Sequence, residues 1–163
     1  MTRIRTATAA ITIAAGAAFL FAGPYMVYRG FDGRAQVRAE LKAEHIVTPP
    51  DASKPGIAVV DGPSALVQAK IIRHHTLTAT GGKSYAQLDR TDPARATAFQ
   101  GDMLRTALLS SALAWNVANL VIGLGALVFV LGLVLLAVGY VIRKPDQVLI
   151  STAPESLREP VTA

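Results

Sequence analysis

The sequence predicts an all-α membrane protein with two transmembrane helices and a small, mostly helical extracytoplasmic domain. Three observations carry that reading. Hydrophobic residues make up 52% of the chain and charged residues 17%, with mean hydropathy +0.40, more apolar side chain than an ordinary soluble domain buries. Two stretches, Thr6 to Tyr28 and Thr106 to Ile142, contain no Asp, Glu, Lys, Arg or His. Each exceeds the about 20 residues that a helix needs to cross the hydrocarbon core. The chain has no cysteine, so any part outside the membrane is expected to hold together by packing, without disulfides or thiolate metal sites.

Residues 1–6 are read as a cytoplasmic N-terminus and 7–28 as the first transmembrane helix. Basic Met1 to Arg5 followed by an Ala-rich apolar stretch has the shape of a secretory signal. No convincing small-x-small cleavage site precedes the bulky Tyr25-Met26-Val27-Tyr28, so the stretch reads as an uncleaved anchor. Tyr25 and Tyr28 stand where an interfacial aromatic belt would place them.

Residues 29–105 are the expected extracytoplasmic domain. Gly30 to Ile46 is rich in helix formers, with Phe31, Val37, Leu41 and His45 near helical spacing, and extends the first helix outward. Pro49-Pro50, Lys54-Pro55-Gly56 and Asp61-Gly62-Pro63 are turn signals around the short apolar run Ile57 to Val60, which suits one or two short strands or an extended loop. Asp61 with Pro63 resembles a helix start, and Ser64 to Ala79 is helical by composition, ended by Gly81-Gly82. Leu66, Ala69, Ile72 and His75 are expected on its inner side. Ser84 to Leu88 is at most a short helical turn.

Asp92-Pro93 reads as an N-cap followed by Pro at the first helical position. Nothing then stops a helix before Lys144-Pro145. About 50 residues at 1.5 Å each span about 75 Å, so the first third must stand outside the bilayer. Residues 106–142 therefore contain the second transmembrane helix. Trp115 and Tyr140, about 38 Å apart along it, are expected at the two interfaces. Residues 143–163, with Pro145, Pro154 and Pro160, read as a disordered cytoplasmic tail.

The formal charge of +5 is spread along the chain, and no basic run is longer than Arg143-Lys144. Nucleic acid is not an expected partner. The expected partners are the lipid bilayer and another membrane protein or a second copy of the chain. No catalytic, cofactor-binding or metal-binding residues are assigned. His74-His75 lacks Asp, Glu or His three or four residues away, the spacing that two ligands on one helical face require. Thr80-Gly81-Gly82-Lys83-Ser84 ends like a phosphate-binding loop, but Leu77 stands where that motif needs Gly and a helix precedes it in place of a strand. A helix C-cap and turn is expected instead. No Ser or carboxylate can be paired with a base in a dry pocket, so the chain is not read as an enzyme.

The strongest pattern lies in the second membrane helix, where Ser111, Ala118, Gly125, Gly132 and Gly139 recur at intervals of seven and share one slowly drifting stripe. The first helix offers Ala10, Ala14, Ala18 and Ala22 at intervals of four. Small residues let membrane helices approach closely, so both rows are expected to be helix-packing residues, the partner being the other helix, a second copy or another protein. Asn116 and Asn119 share a face near the outer interface and are expected to meet headgroups and water, the alternative being a hydrogen-bond contact between helices. With no charge in either span, no ion or proton pathway is indicated.

Ile71-Ile72-Arg73-His74-His75-Thr76-Leu77, Thr80-Gly81-Gly82-Lys83-Ser84-Tyr85-Ala86-Gln87-Leu88-Asp89-Arg90, Asp92-Pro93 and Met103-Leu104-Arg105-Thr106-Ala107-Leu108 carry a resemblance. The chain resembles a family of small, uncharacterised actinobacterial two-helix membrane proteins over most of residues 1–142, more loosely over 47–63. Some members of that family bear an aromatic ring-opening dioxygenase label. This chain lacks the His and carboxylate ligand set that such an iron site needs. The resemblance implies a cell-envelope setting and supplies no catalytic residues. The expected function is that of a non-catalytic accessory or scaffold subunit in the plasma membrane, both termini cytoplasmic. The alternative is a ligand-sensing or substrate-handing outer domain of a transport system.

Overall fold

A computed structural model describes residues 2–144; most of the expected tail lies outside them. The described residues form helices joined by loops, in the order α1 (Thr2–Ala43), α2 (Gly62–Ala79), a 3-10 turn (Tyr85–Gln87) and α3 (Ala94–Arg143). No strand forms among them. Val47 and Ala58 make an isolated antiparallel bridge instead. Two helices, Arg3–Ala43 and Ala94–Arg143, are long and apolar enough to cross a membrane. The chain divides into two compact units, one joining residues up to Phe21 with residues from Val128, the other Ala22–Leu127.

The larger unit has the one packed core. Leu41 of α1, Val59, Ala65 and Ala69 of α2, and Leu108 and Ala112 of α3 are buried together, with Val37, Ile46, Ile72 and Leu109 against them. Local chemistry fixes α2 in place. Asp61 caps it, accepting from Ser64 N at 2.9 Å, while Ser64 Oγ accepts from Asp61 N at 3.0 Å, a reciprocal box with Pro63 in the first turn. The helix ends on Gly81 and Gly82 at φ +64° and +81°, and Gly82 N donates back to Leu77 O at 2.7 Å. The Gly-Gly-Lys-Ser stretch is therefore a helix stop, since only glycine takes positive φ without steric cost.

The expected inner side of α2 needs correction. Ala69 is buried and Ile72 packs on the core, but Leu66 and His75 are exposed, and Ala65 and Ile71 are buried instead. A spacing of three falls short of a full turn by about 60° per step, so Leu66, Ala69, Ile72 and His75 wind away from one side. Ala65, Ala69 and Ile72, spaced four and then three, stay on it.

α3 begins where Asp92 Oδ1 accepts from Ala94 N at 2.9 Å. Arg95 in its first turn donates to Leu88 O at 2.8 Å and lies over the Tyr85 ring at 4.0 Å, holding the 3-10 turn and buried Leu88 against the helix. α2 and α3 approach at Gly101, where an added methyl would overlap the Thr76 side chain. Trp115, expected at an interface, has a buried ring. It is 5% exposed, with Gly62 against its indole and Arg34 and Arg38 over its ring. Tyr140 is exposed, with Lys144 Nζ 4.8 Å from its ring centre.

Candidate functional site

The residues of the small stripe on α3 lie as follows. Ala118, Gly125, Gly132 and Gly139 are buried, and Ser111 is half-buried with its hydroxyl donated to Ala107 O at 3.1 Å. In the smaller unit, a methyl added at Gly132 would stand 3.0 Å from both Gly16 O and Leu20 N, and one at Gly139 would meet Ile13 and Ala9 O. In the larger unit, a methyl at Gly125 would stand 2.7 Å from Gly23 O, and one at Gly30 would stand 2.8 Å from Ala118 O. α1 and α3 run antiparallel in each unit, and a step of seven along one is matched by a step of seven back along the other.

The row expected on α1 is a different case. Ala10, Ala14, Ala18 and Ala22 are all exposed. The small residues of α1 that meet α3 include Ala9, Gly16, Gly23 and Gly30, all buried and also spaced by seven. Seven residues fall about 20° short of two turns, whereas four overshoot one turn by about 40°. A row at intervals of four therefore winds off a long contact that a row at intervals of seven follows. The signal was in the sequence, hidden by the richer alanine row beside it. Pro24, inside α1, leaves Leu20 O without the backbone donor of an unbroken helix.

Two residues tie the loop before α2 together through their side chains. Thr48, 3% exposed, accepts from Ile57 N at 3.0 Å and donates to Lys54 O at 2.6 Å, while its own N–H donates to Ile57 O at 3.0 Å. Asp51 reaches across to α2, where His75 Nε2 lies 2.5 Å from its Oδ2. The His75 hydrogen bond holds the Asp51 carboxyl below its ordinary value. That partner comes from a loop 24 residues earlier in the chain, beyond any helical spacing around His75. Burial pushes the Asp61 carboxyl up, but the Ser64 hydrogen bonds and the charges of Arg38 and Arg34 outweigh it and leave it lowered. Among the described residues no three His, Asp or Glu side chains gather as a metal site would need. Asn116 and Asn119 are exposed.

The most chemically distinct surface of the larger unit is an open groove of about 480 Å³ along α1, where Arg34, Arg38 and Lys42 stand on successive turns beside Phe31 and Trp115. A smaller hollow of about 140 Å³ brings Arg73, Lys83 and Arg105 together with Asp102. No family model, curated protein or solved structure matches this chain, so these sites are read from their own residues.

Proposed function

We propose that this chain is a non-catalytic, two-pass protein of the plasma membrane, an accessory or scaffold subunit with both termini cytoplasmic and residues 29–105 outside. One observation carries the membrane reading: only 11% of the most apolar window of each long helix is buried. The core helix of a soluble protein would be mostly buried. Here Phe21, Ile11, Leu120, Leu127 and Val130 point outward, each at least half exposed. That much apolar surface in water would be strongly unfavourable, and lipid chains remove the cost.

The scaffold reading rests on the balance of surfaces in the larger unit. Its core is built of alanine and branched side chains, with an open hollow of about 300 Å³ beside Leu41, Ile46 and Val59, and Phe99, Met103 and Leu104 on the outer third of α3 are more than half exposed. An exposed apolar patch suits contact with another protein better than capture of a small apolar ligand. Affinity purification from solubilised membranes, followed by mass spectrometry, tests the role. Recovery of a membrane partner whose yield falls with Met103→Glu supports it. Recovery of the chain alone, as a monomer, overturns the scaffold reading.

A further inference from the structure

Arg34, Arg38 and Lys42 recur every fourth residue, so three cations line one side of α1 on successive turns. Like charges at this spacing repel, and a cluster of this kind is normally relieved by carboxylates. None lines the groove. Asp32, on the same helix, is paired with Arg29 at 3.1 Å. Asp61, outside the groove lining, feels the charges of Arg38 and Arg34 while its Oδ1 accepts from the Ser64 N–H and hydroxyl; one carboxylate against three cations leaves the groove with a net positive charge. The guanidinium carbons of Arg34 and Arg38 lie 4.5 and 5.6 Å from the Trp115 ring centre, and that ring is itself held by Gly62. The indole thus fixes two guanidinium groups in advance while leaving donors free for an oxyanion.

The geometry points to a binding site for a phosphate ester, that of an anionic phospholipid headgroup at the membrane surface from which α1 emerges. Bidentate pairing with phosphate is what paired guanidinium groups do best, and Lys42 adds a point charge one turn further out. Arg34, Arg38 and Lys42 stand about 9, about 15 and about 21 Å beyond Tyr28 along the helix, against a headgroup layer of about 5–7 Å on each side of the hydrocarbon. Side chains of a helix lean toward its N-terminus, here back toward the membrane, which brings the Arg34 and Arg38 guanidinium groups nearest that layer. Assignment to a lipid, though not to phosphate chemistry, rests on the two-pass reading proposed above.

The test uses the full chain in phosphatidylcholine nanodiscs with increasing phosphatidylglycerol. Native mass spectrometry counts retained anionic lipid, and emission from Trp115, the one tryptophan of the chain, reports occupancy. The expected result is saturable retention that weakens about tenfold in Arg34→Gln/Arg38→Gln, is partly restored in Arg34→Lys/Arg38→Lys, and is unchanged in Arg90→Gln. A parallel titration with inorganic phosphate separates the sources. Saturation by phosphate without anionic lipid upholds the chemistry and assigns it to a soluble phosphate; response to lipid alone assigns it to the headgroup. Equal retention by the wild type and the double glutamine variant, each with its helical circular dichroism intact, overturns the site. Should the double variant lose its helix, Lys42→Gln is read instead, and unchanged retention there overturns the site equally. An alkaline wash of vesicles tests the span separately. A chain that stays through the wash without preferring phosphatidylglycerol loses only the headgroup site, whereas a chain stripped by it loses the two-pass reading.

Discussion

Thr48 shows how a single hydroxyl can order a loop that has no secondary structure of its own. Its oxygen accepts from Ile57 N and donates to Lys54 O, joining two ends of a proline-rich turn. Thr48→Val keeps the shape and removes both bonds, leaving the Ile57 N–H without its partner. The expected loss is about 2 kcal/mol, read as a drop in the denaturation midpoint in detergent. Asp51 is a surface counterpart, and its effect should depend on pH. Its carboxyl is held below the ordinary value of 3.8 by His75. A depressed carboxylate stabilises the fold above its unfolded pKa, and that contribution is lost as pH falls through the folded value. Asp51→Asn should therefore lower Tm at pH 5 to 6, with the difference from the wild type closing as pH falls below 3.8. A gap that persists at the lowest pH would assign the effect to packing rather than to the Asp51–His75 pair.

At the scale of the helix, the decisive quantity is the angle by which a repeat departs from whole turns. Gly125 and Gly132 lie against backbone atoms of α1, while Gly123, two residues from Gly125, has nothing within 4 Å of an added methyl. Gly125→Ala and Gly132→Ala must push α1 away, for an expected cost of about 1–3 kcal/mol each. Gly123→Ala should be neutral or gain up to about 1 kcal/mol from helix propensity. Ala14→Leu and Ala18→Leu, on the exposed row, should be tolerated. Thermal stability in membranes ranks the five variants, and equal behaviour would reduce the interval of seven to mere composition. The same angular argument explains why Leu66 and His75 of α2 are exposed while Ala65 is buried.

At the scale of the molecule, Arg5 links the start of α1 to the end of α3. Its Nε donates to Ile142 O at 3.0 Å and its Nη2 to Lys144 O at 2.9 Å, so a side chain of α1 caps carbonyls left open at the end of α3. With Arg3, Arg143 and Lys144, it sets four cations at the start of α1 and the end of α3. Under the positive-inside rule those ends should be cytoplasmic. Ser53, exposed in the loop before α2, then lies on the opposite side. Ser53→Cys creates the one thiol of the chain, and an impermeant maleimide should label it in intact cells; labelling only after lysis would reverse the proposed orientation.

Composition and unbroken apolar runs were enough, by themselves, to define two long helices that could cross a membrane. The Asp61-Gly62-Pro63 start, the Gly81-Gly82 stop and the single turn at Tyr85–Gln87 were equally legible. These features depend on residues close together in sequence, where capping and positive φ act. Tertiary structure alone decided which of two rows of small residues on α1 meets α3, and that Trp115 lies beneath two arginines. It alone paired His75 with Asp51 and Arg5 with the last turn of α3. Each of these depends on a partner at least 24 residues away, and no local pattern encodes which distant backbone will arrive. The interval of seven comes closest, because a repeat that follows a straight seam on one helix anticipates a matching repeat on the helix it meets.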